Sequence, residues 1–314
     1  MTGGCPTRPR VIVLCGPTGV GKTRLAIALA EEFGGQIVGA DSMQVYRYMD
    51  IGTAKPTPAE QARVPHHMID VADPDESFSA GRYARMARPI LMDLNEQGVL
   101  PVLAGGTGLY IKACLHGLFR KHSADNAVLE RLEREANDQG AAVLHQRLAV
   151  CDPDAAERIH FNDRFRIVRA LEVFESTGLP ASGHRQAHGF AEDPFDTLKL
   201  CLYLDRKTLY ERINRRVDLM LADGFENEVA GLLARGYAPD LKAMQSIGYR
   251  HMTAWLAGDT SREAAVETMK KDTRRYAKRQ ETWFKADPDM VWVDQKEGLE
   301  KVPFLVKRFL RYGK

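Results

Sequence analysis

Residues Gly16, Pro17, Thr18, Gly19, Val20, Gly21, Lys22 and Thr23 fit the pattern G-x-x-x-x-G-K-[ST]. Glycines at these spacings let backbone N–H groups close around anionic oxygens. The lysine adds a point charge, and the Thr23 hydroxyl is placed to ligate Mg²⁺. The pattern carries meaning only between a strand and a helix, and both are foreshadowed here. The apolar run Val11-Ile12-Val13-Leu14-Cys15 reads as a buried strand, and Arg24 to Phe33 puts Leu25, Leu29 and Phe33 on one helical face. Strand, glycine turn and helix start together make a phosphate cradle. A bound di- or triphosphate is expected, with Mg²⁺ as cofactor.

Further loops follow candidate strand ends at Asp41 to Arg47, Asp70 to Asp73 and Gly105 to Tyr110. In an open α/β sheet the ligand lies beyond the carboxyl ends of the strands, so these loops should converge on the cradle. Asp41 admits two functional readings: it holds Mg²⁺ through water, or it is a general base for an attacking nucleophile. The plain alternative is a turn or N-cap. Gly105-Gly106-Thr107-Gly108 predicts a tight turn whose glycines allow close backbone approach to a ligand. The Thr107 hydroxyl would serve either a substrate or the turn itself. His66 and His67 near Asp70 invite a metal reading, but adjacent strand residues point to opposite faces, which favours a turn or core role.

Positive charge gathers in three places. Lys271, Arg274, Arg275, Lys278 and Arg279 fall on one broad helical face, with Tyr276 and Trp283 beside them to pack inward or stack on bases. Arg164, Arg166 and Arg169 form a second group. Arg212, Arg215 and Arg216 form a third, on a helix containing Ile213 and Val217. A charge run is usually a solvated face. Three of them together with a phosphate loop point to a polyanionic substrate larger than a nucleotide.

The elements that must position these residues alternate strand and helix, which predicts a parallel sheet. Strands are expected at Gln36 to Ala40, Val64 to Asp70, Leu100 to Ala104, Leu198 to Leu204 and Val291 to Val293, with a helix at Phe78 to Glu96 starting near Ser77 or Ser79. Residues 121–190 read as all helical, with Leu129 and Leu132 on one face and Ile167, Leu171 and Phe174 at helical spacing. The expected organisation is an α/β core with C-terminal helices (1–120 and 191–314) interrupted by this helical insertion. The 314 residues are 44% hydrophobic and 27% charged, ordinary for a globular protein, and the net charge of +2 gives no global basic character. No apolar run is long enough to span a bilayer, and the N-terminus shows no signal-peptide pattern. The five cysteines are scattered without a C-x-x-C pair, so reduced thiols, a cytoplasmic setting and no zinc site are expected.

Beyond the phosphate loop, several strings recur in order: DSMQVYRYMDIGTAKP from Asp41, PHHMID from Pro65, AGGTGLY from Ala104, NDRFRIVRALEVF from Asn162, DGFENEV from Asp223, SIGYRH from Ser246 and RRYAKRQETW from Arg274. This series resembles the tRNA dimethylallyltransferases over nearly the whole chain. The resemblance implies a nucleotide-kinase-like phosphate-loop fold with a helical insertion that contacts tRNA. It implies transfer of a dimethylallyl group from dimethylallyl diphosphate to N6 of the adenosine just 3′ of the anticodon, in tRNAs reading codons that begin with U. The loop would then hold the prenyl diphosphate rather than ATP. Asp41 would be the general base or hydrogen-bond acceptor for N6, and Asp41, Ser42, Met43 and Gln44 would cradle a flipped-out base. Thr107 would support Asp41 and the incoming nucleotide, and Arg216 would join Lys22 and Thr23 on the diphosphate. Phe165, Arg166, Ile167, Val168 and Arg169 would touch the tRNA, with Arg274 and Lys278 on the basic helix that grips its backbone. With no Cys/His pairs near the C-terminus, the likeness is to the bacterial type, without the zinc finger of eukaryotic cytosolic relatives. A monomer with no membrane partner is expected.

Three other functions suit part of this pattern. A small-molecule kinase would place ATP in the loop, and a prenyltransferase for free AMP or ADP would need no tRNA. The basic helices and the insertion favour tRNA. A non-catalytic RNA-binding protein is disfavoured by Asp41 beside an intact phosphate loop.

Overall fold

The first strand is apolar at every position from Val11 to Cys15 because both its faces are covered. In the computed structural model, which describes residues 8–117, 126–183 and 192–313, it is β1 (Arg10–Cys15), and those five residues are fully buried. It is followed by α1 (Lys22–Phe33), β2 (Gly35–Gly39), α2 (Pro58–Arg63), β3 (His66–His67), α3 (Ala80–Glu96), β4 (Leu100–Gly105) and α4 (Gly108–His116). The described chain divides into two compact units. One is formed by Met1–Leu115 and Asp193–Lys314, the other by His116–Glu192. The insertion bounds drawn at 121 and 190, and the N-terminal stretch Met1 to Pro6 with Cys5, lie outside the described residues.

The larger unit resumes with β5 (Asp196–Tyr203), and then β6 (Val291–Asp294) completes a six-stranded sheet in the order β3-β2-β4-β1-β5-β6, parallel throughout. Alternate residues of β1 feed two cores. Val11, Val13 and Cys15 pack with Tyr83, Leu91 and Tyr110 of α3 and α4. Ile12 and Leu14 pack with Leu25, Ile27 and Leu29 of α1. The chain crosses from β1 to β2 on one side and from β4 to β5 on the other, so β1 lies at the switch point where ligand crevices open.

The expected elements are present, with instructive shifts. The strand anticipated at Val64 to Asp70 shrinks to His66–His67, because Met68 and Asp70 take left-handed φ values of 64° and 55° and turn the chain out of the sheet. The helix expected from Phe78 starts at Ala80, where the Ser79 hydroxyl accepts from the Arg82 N–H at 3.1 Å. Gly105 to Gly108 is no tight turn but a direct passage from β4 into α4.

The smaller unit consists of α5 (Asn126–Gln139), α6 (Ala141–Cys151), α7 (Pro153–Arg158) and α8 (Arg164–Thr177). Its core joins Leu132, Leu144, Leu148, Ile167, Val168 and Leu171. Five of its arginines are paired with its own acids: Arg131 and Arg147 both meet Glu135 and Glu175, Arg164 meets Glu133, Arg166 meets Asp163, and Arg169 meets the buried Glu172. No helix among the described residues is long and apolar enough to cross a membrane.

Candidate active site

The cradle is built by backbone that only glycine tolerates. Gly16, Gly19 and Gly21 hold φ of 142°, 82° and 97°, and a Cβ on Gly16 would lie 2.6 Å from the Leu202 carbonyl oxygen. α1 begins at Lys22, two residues earlier than its apolar periodicity suggests, so Lys22 and Thr23 occupy its first turn. No side chain caps that N-terminus and its first turn holds no acid, which leaves the orphan N–H groups and the positive end of the dipole for an anion. Lys22 Nζ donates to the carbonyl oxygens of Gly16 and Pro17, each at 2.9 Å. Burial pulls its amine down to about 8; Asp41 opposes that shift and Arg216 adds to it.

Asp41 follows β2. Its Oδ1 accepts from the N–H of Met43 at 2.9 Å and of Gln44 at 3.4 Å, while Oδ2 takes no hydrogen bond among the described residues. The turn reading and the functional reading of this residue are thus compatible, since one oxygen shapes the loop and the other is left over. The Thr107 hydroxyl accepts from the Ser42 N–H at 2.9 Å and meets the Tyr276 hydroxyl. The glycines around Thr107 serve close approach rather than left-handed backbone. A Cβ on Gly105 would overlap the main chain of Ala40, one on Gly106 would overlap Gln280, and one on Gly108 would overlap the indole of Trp283.

The C-terminal part of the larger unit closes the site. It comprises α9 (Arg206–Ala222), α10 (Phe225–Ala234), α11 (Tyr249–Leu256), α12 (Arg262–Lys285) and α13 (Gly298–Tyr312). From α9, Arg216 reaches the site without an ion pair among the described residues. Burial lowers its guanidinium from the usual range and Asp41 counteracts this. From α12, Gln280 clamps two loops: its Oε1 accepts from the Thr18 N–H and its Nε2 donates to the Gly106 carbonyl, both at 2.8 Å. Tyr276 lies one turn before it, its phenol raised by burial and by Asp41.

Two adjoining cavities result. One of about 140 Å³ holds Lys22, Thr23, Gly19 and Gly21. The other, of about 310 Å³, is lined by apolar side chains including Met43, Ile213, Val217, Met220, Ile247 and Met269, with Tyr249 and Arg279. Thr18, Asp41, Thr53, Arg216 and Tyr276 line both. The structure therefore brings together Gly16 to Thr23, Asp41 to Gln44, Thr107 and Arg216.

Other expected contacts separate. Ile167 and Val168, expected at the tRNA, are buried in the core of the smaller unit, while Phe165 is exposed at 72%. Arg166 is exposed and Arg169 partly so. On α12, Lys278 is exposed and makes no ion pair among the described residues, whereas Arg274 donates to Asn214 at 2.6 Å. His66 Nδ1 donates to the Val64 carbonyl and His67 Nε2 to Gln36 Oε1, both at 2.7 Å; these are turn and sheet roles. Gln280 was missed by sequence reasoning; its signal was its place inside the RRYAKRQETW string, one turn after Tyr276. A divalent metal fits the donor set: the Thr23 hydroxyl lines the cradle, and the free Asp41 oxygen lies at its edge, both hard oxygen ligands. No cluster of three or more His, Cys, Asp or Glu forms a separate metal cage among the described residues.

The fold and the cradle define an α/β protein with a phosphate loop beside an apolar cavity. A family model described as IPP transferase matches residues 44–287, and one described as isopentenyl transferase matches residues 9–78. The chain is 95% identical over 314 residues, the full length of both, to a tRNA dimethylallyltransferase of Desulfosudis oleivorans. It is 50% identical to one of Geobacter sulfurreducens, covering 96% of this chain and 97% of the relative. Among solved structures, a full-length tRNA isopentenylpyrophosphate transferase from Bacillus halodurans superposes with a TM-score of 0.72 at 39% identity, covering 97% of this chain and 98% of that one. A eukaryotic dimethylallyltransferase acting on tRNA gives a TM-score of 0.81 at 29% identity, covering 96% of this chain and 79% of that one. The chain belongs to the IPP transferase family and is a prenyltransferase.

Proposed function

We propose that this enzyme transfers a dimethylallyl group from dimethylallyl diphosphate to N6 of the adenosine 3′ of the anticodon in tRNAs reading U-starting codons, and releases diphosphate. The reading rests on one observation: Asp41, with one carboxylate oxygen unengaged, borders both the phosphate cradle and the larger apolar cavity. The diphosphate occupies the cradle against the Gly16 to Thr23 amides, Lys22 and Arg216. The prenyl tail lies toward Met43, Val217 and Met220. A bound Mg²⁺, held by Thr23, would neutralise part of the diphosphate charge.

In the transfer step the allylic C–O bond breaks and the N6–C bond forms. The N6 proton passes to Asp41, and the electron pair leaves with the diphosphate. Lys22, Arg216 and the helix N-terminus stabilise the charge that grows on the leaving oxygens. Thr107 keeps the Asp41–Ser42 corner in place through the Ser42 N–H. The adenosine has to leave its stack to reach a recessed donor, as enzymes acting on a single base require. Phe165, Arg166, Arg169 and Lys278 are offered as tRNA contacts, in a cytoplasmic setting. The test is mass analysis of tRNA nucleosides after incubation with dimethylallyl diphosphate and no ATP. Prenylated adenosine is expected. Product that appears only with ATP, or on free AMP but never on tRNA, would replace this reading.

A further inference from the structure

The loop that carries Thr53 into both cavities is fastened by a residue far away in sequence. Glu228, on α10, accepts from three consecutive backbone N–H groups: Asp50 at 2.9 Å, Ile51 at 2.7 Å and Gly52 at 3.1 Å. It also accepts from the Tyr249 hydroxyl at 2.6 Å, so both carboxylate oxygens are used twice. Three amides converging on one carboxylate form an anion nest that the protein fills itself. The backbone is pressed close at this point, since a Cβ on Gly52 would overlap the rings of Phe225 and Tyr249.

The fastening leads to the reacting corner by a traceable route. The Gln44 side-chain amide donates to the carbonyls of Thr53 and Ala54, at 3.2 and 3.1 Å. The Gln44 backbone N–H donates to Asp41 Oδ1. Tyr48 and Ala54 in the same loop hold left-handed φ of 65° and 45°, strain that persists only where the surroundings over-determine the backbone. A second clasp closes the far side. Lys55 Nζ donates to Asp50 Oδ1 at 2.5 Å, Asp70 Oδ1 at 2.6 Å and the Tyr46 carbonyl at 2.8 Å.

We propose that Glu228 is a positioning residue for the prenyl transfer: by gathering the 50–52 amides it sets the Gln44 bridge and thereby the orientation of the Asp41 carboxylate. This rests on Asp41 being the proton acceptor. Glu228 touches none of the cradle residues Gly16 to Thr23, although its partners Gly52 and Tyr249 line the larger cavity, so its effect should appear in turnover and not in diphosphate affinity.

Glu228→Gln keeps size but turns a donor toward groups that are themselves donors. It is expected to lower single-turnover transfer to tRNA by ~10–100-fold, the scale of a sub-ångström misplacement at a reacting centre. The KM for dimethylallyl diphosphate should stay within about twofold, and Glu228→Asp should restore part of the rate. The deciding measurement is a double-mutant cycle with Asp41→Asn. If Glu228 acts through Asp41, adding Glu228→Gln to Asp41→Asn costs nothing further. Equal losses in both backgrounds, or an unchanged rate for Glu228→Gln alone, overturn the proposal. Should Asp41→Asn alone turn over normally, it is the proton-acceptor reading that fails instead. Melting temperatures of all four proteins separate these outcomes from general unfolding.

Discussion

The two units solve different problems with the same residue types. In the larger unit, charged groups near the cradle are left unpaired. Lys22 rests on carbonyls, Arg216 has no acid partner, and Asp41 keeps one oxygen free, all among the described residues. In the smaller unit, Arg131, Arg147, Arg164, Arg166 and Arg169 are each neutralised by a carboxylate of the same unit. Unpaired buried charge is unfavourable unless a ligand completes it, whereas paired surface charge contributes little either way. The contrast teaches where binding energy should reside: in the cradle for the diphosphate, and on the unpaired cations of α12 more than on the self-paired arginines of the insertion for the nucleic acid.

The strongest test of this contrast is Asp41→Ala. Turnover is expected to fall ~10²–10⁴-fold, the scale for a lost general base, with tRNA affinity retained. Single-turnover rates alongside filter binding check it, and near-normal turnover would erase the distinction between the two units. Next comes Gly105→Ala. The new Cβ meets the main chain of Ala40, which cannot swing aside as a side chain would, so a loss of about 1–3 kcal/mol is expected, read as a lowered melting temperature. The same change at Gly178 of the insertion, where a Cβ meets nothing within 4 Å, tests only an ordinary left-handed φ of 72° and should cost less.

A third test uses pH. With its amine lowered to about 8, Lys22 is charged below that pH and loses its proton above it. Diphosphate prefers the charged form, so binding holds the proton on and affinity falls as pH rises. About a tenfold weakening between pH ~7 and pH ~9 is expected if only the ammonium binds. Calorimetry with inorganic diphosphate should show proton uptake near pH ~8, and a flat profile would mean that the amide nest alone does the work. The smallest effect concerns nucleic acid. Lys278→Ala should reduce the salt dependence of tRNA affinity by about one unit of slope, since one counterion fewer is released. Arg164→Ala should leave that slope nearly unchanged, because Glu133 already holds its charge. Equal slopes for the two variants would dissolve the comparison.

What could be read in advance follows a clear division. The phosphate loop, β1 and α1 are contiguous, so local spacing alone carries their geometry. Asp41 was visible as the acid after the next strand. The insertion was visible as helical, but which of Phe165 to Arg169 faces outward was not, and Ile167 and Val168 proved to be core. Arg274 and Lys278 looked equivalent on a helical face until Asn214 was found to occupy one of them.

The amino-acid order by itself determined the phosphate cradle, the strand–helix alternation and the acid beside the cradle, because each depends on residues within one turn or one strand of each other. Only the tertiary structure decided that Gln280 ties the Thr18 and Gly106 loops together, that Glu228 gathers the amides of residues 50–52, and that Arg216 stands uncompensated beside Asp41. Those contacts join segments more than a hundred residues apart. They arise when packing of α9, α10 and α12 brings polar groups within hydrogen-bond distance, and nothing in local periodicity encodes which distant partner a buried donor will meet.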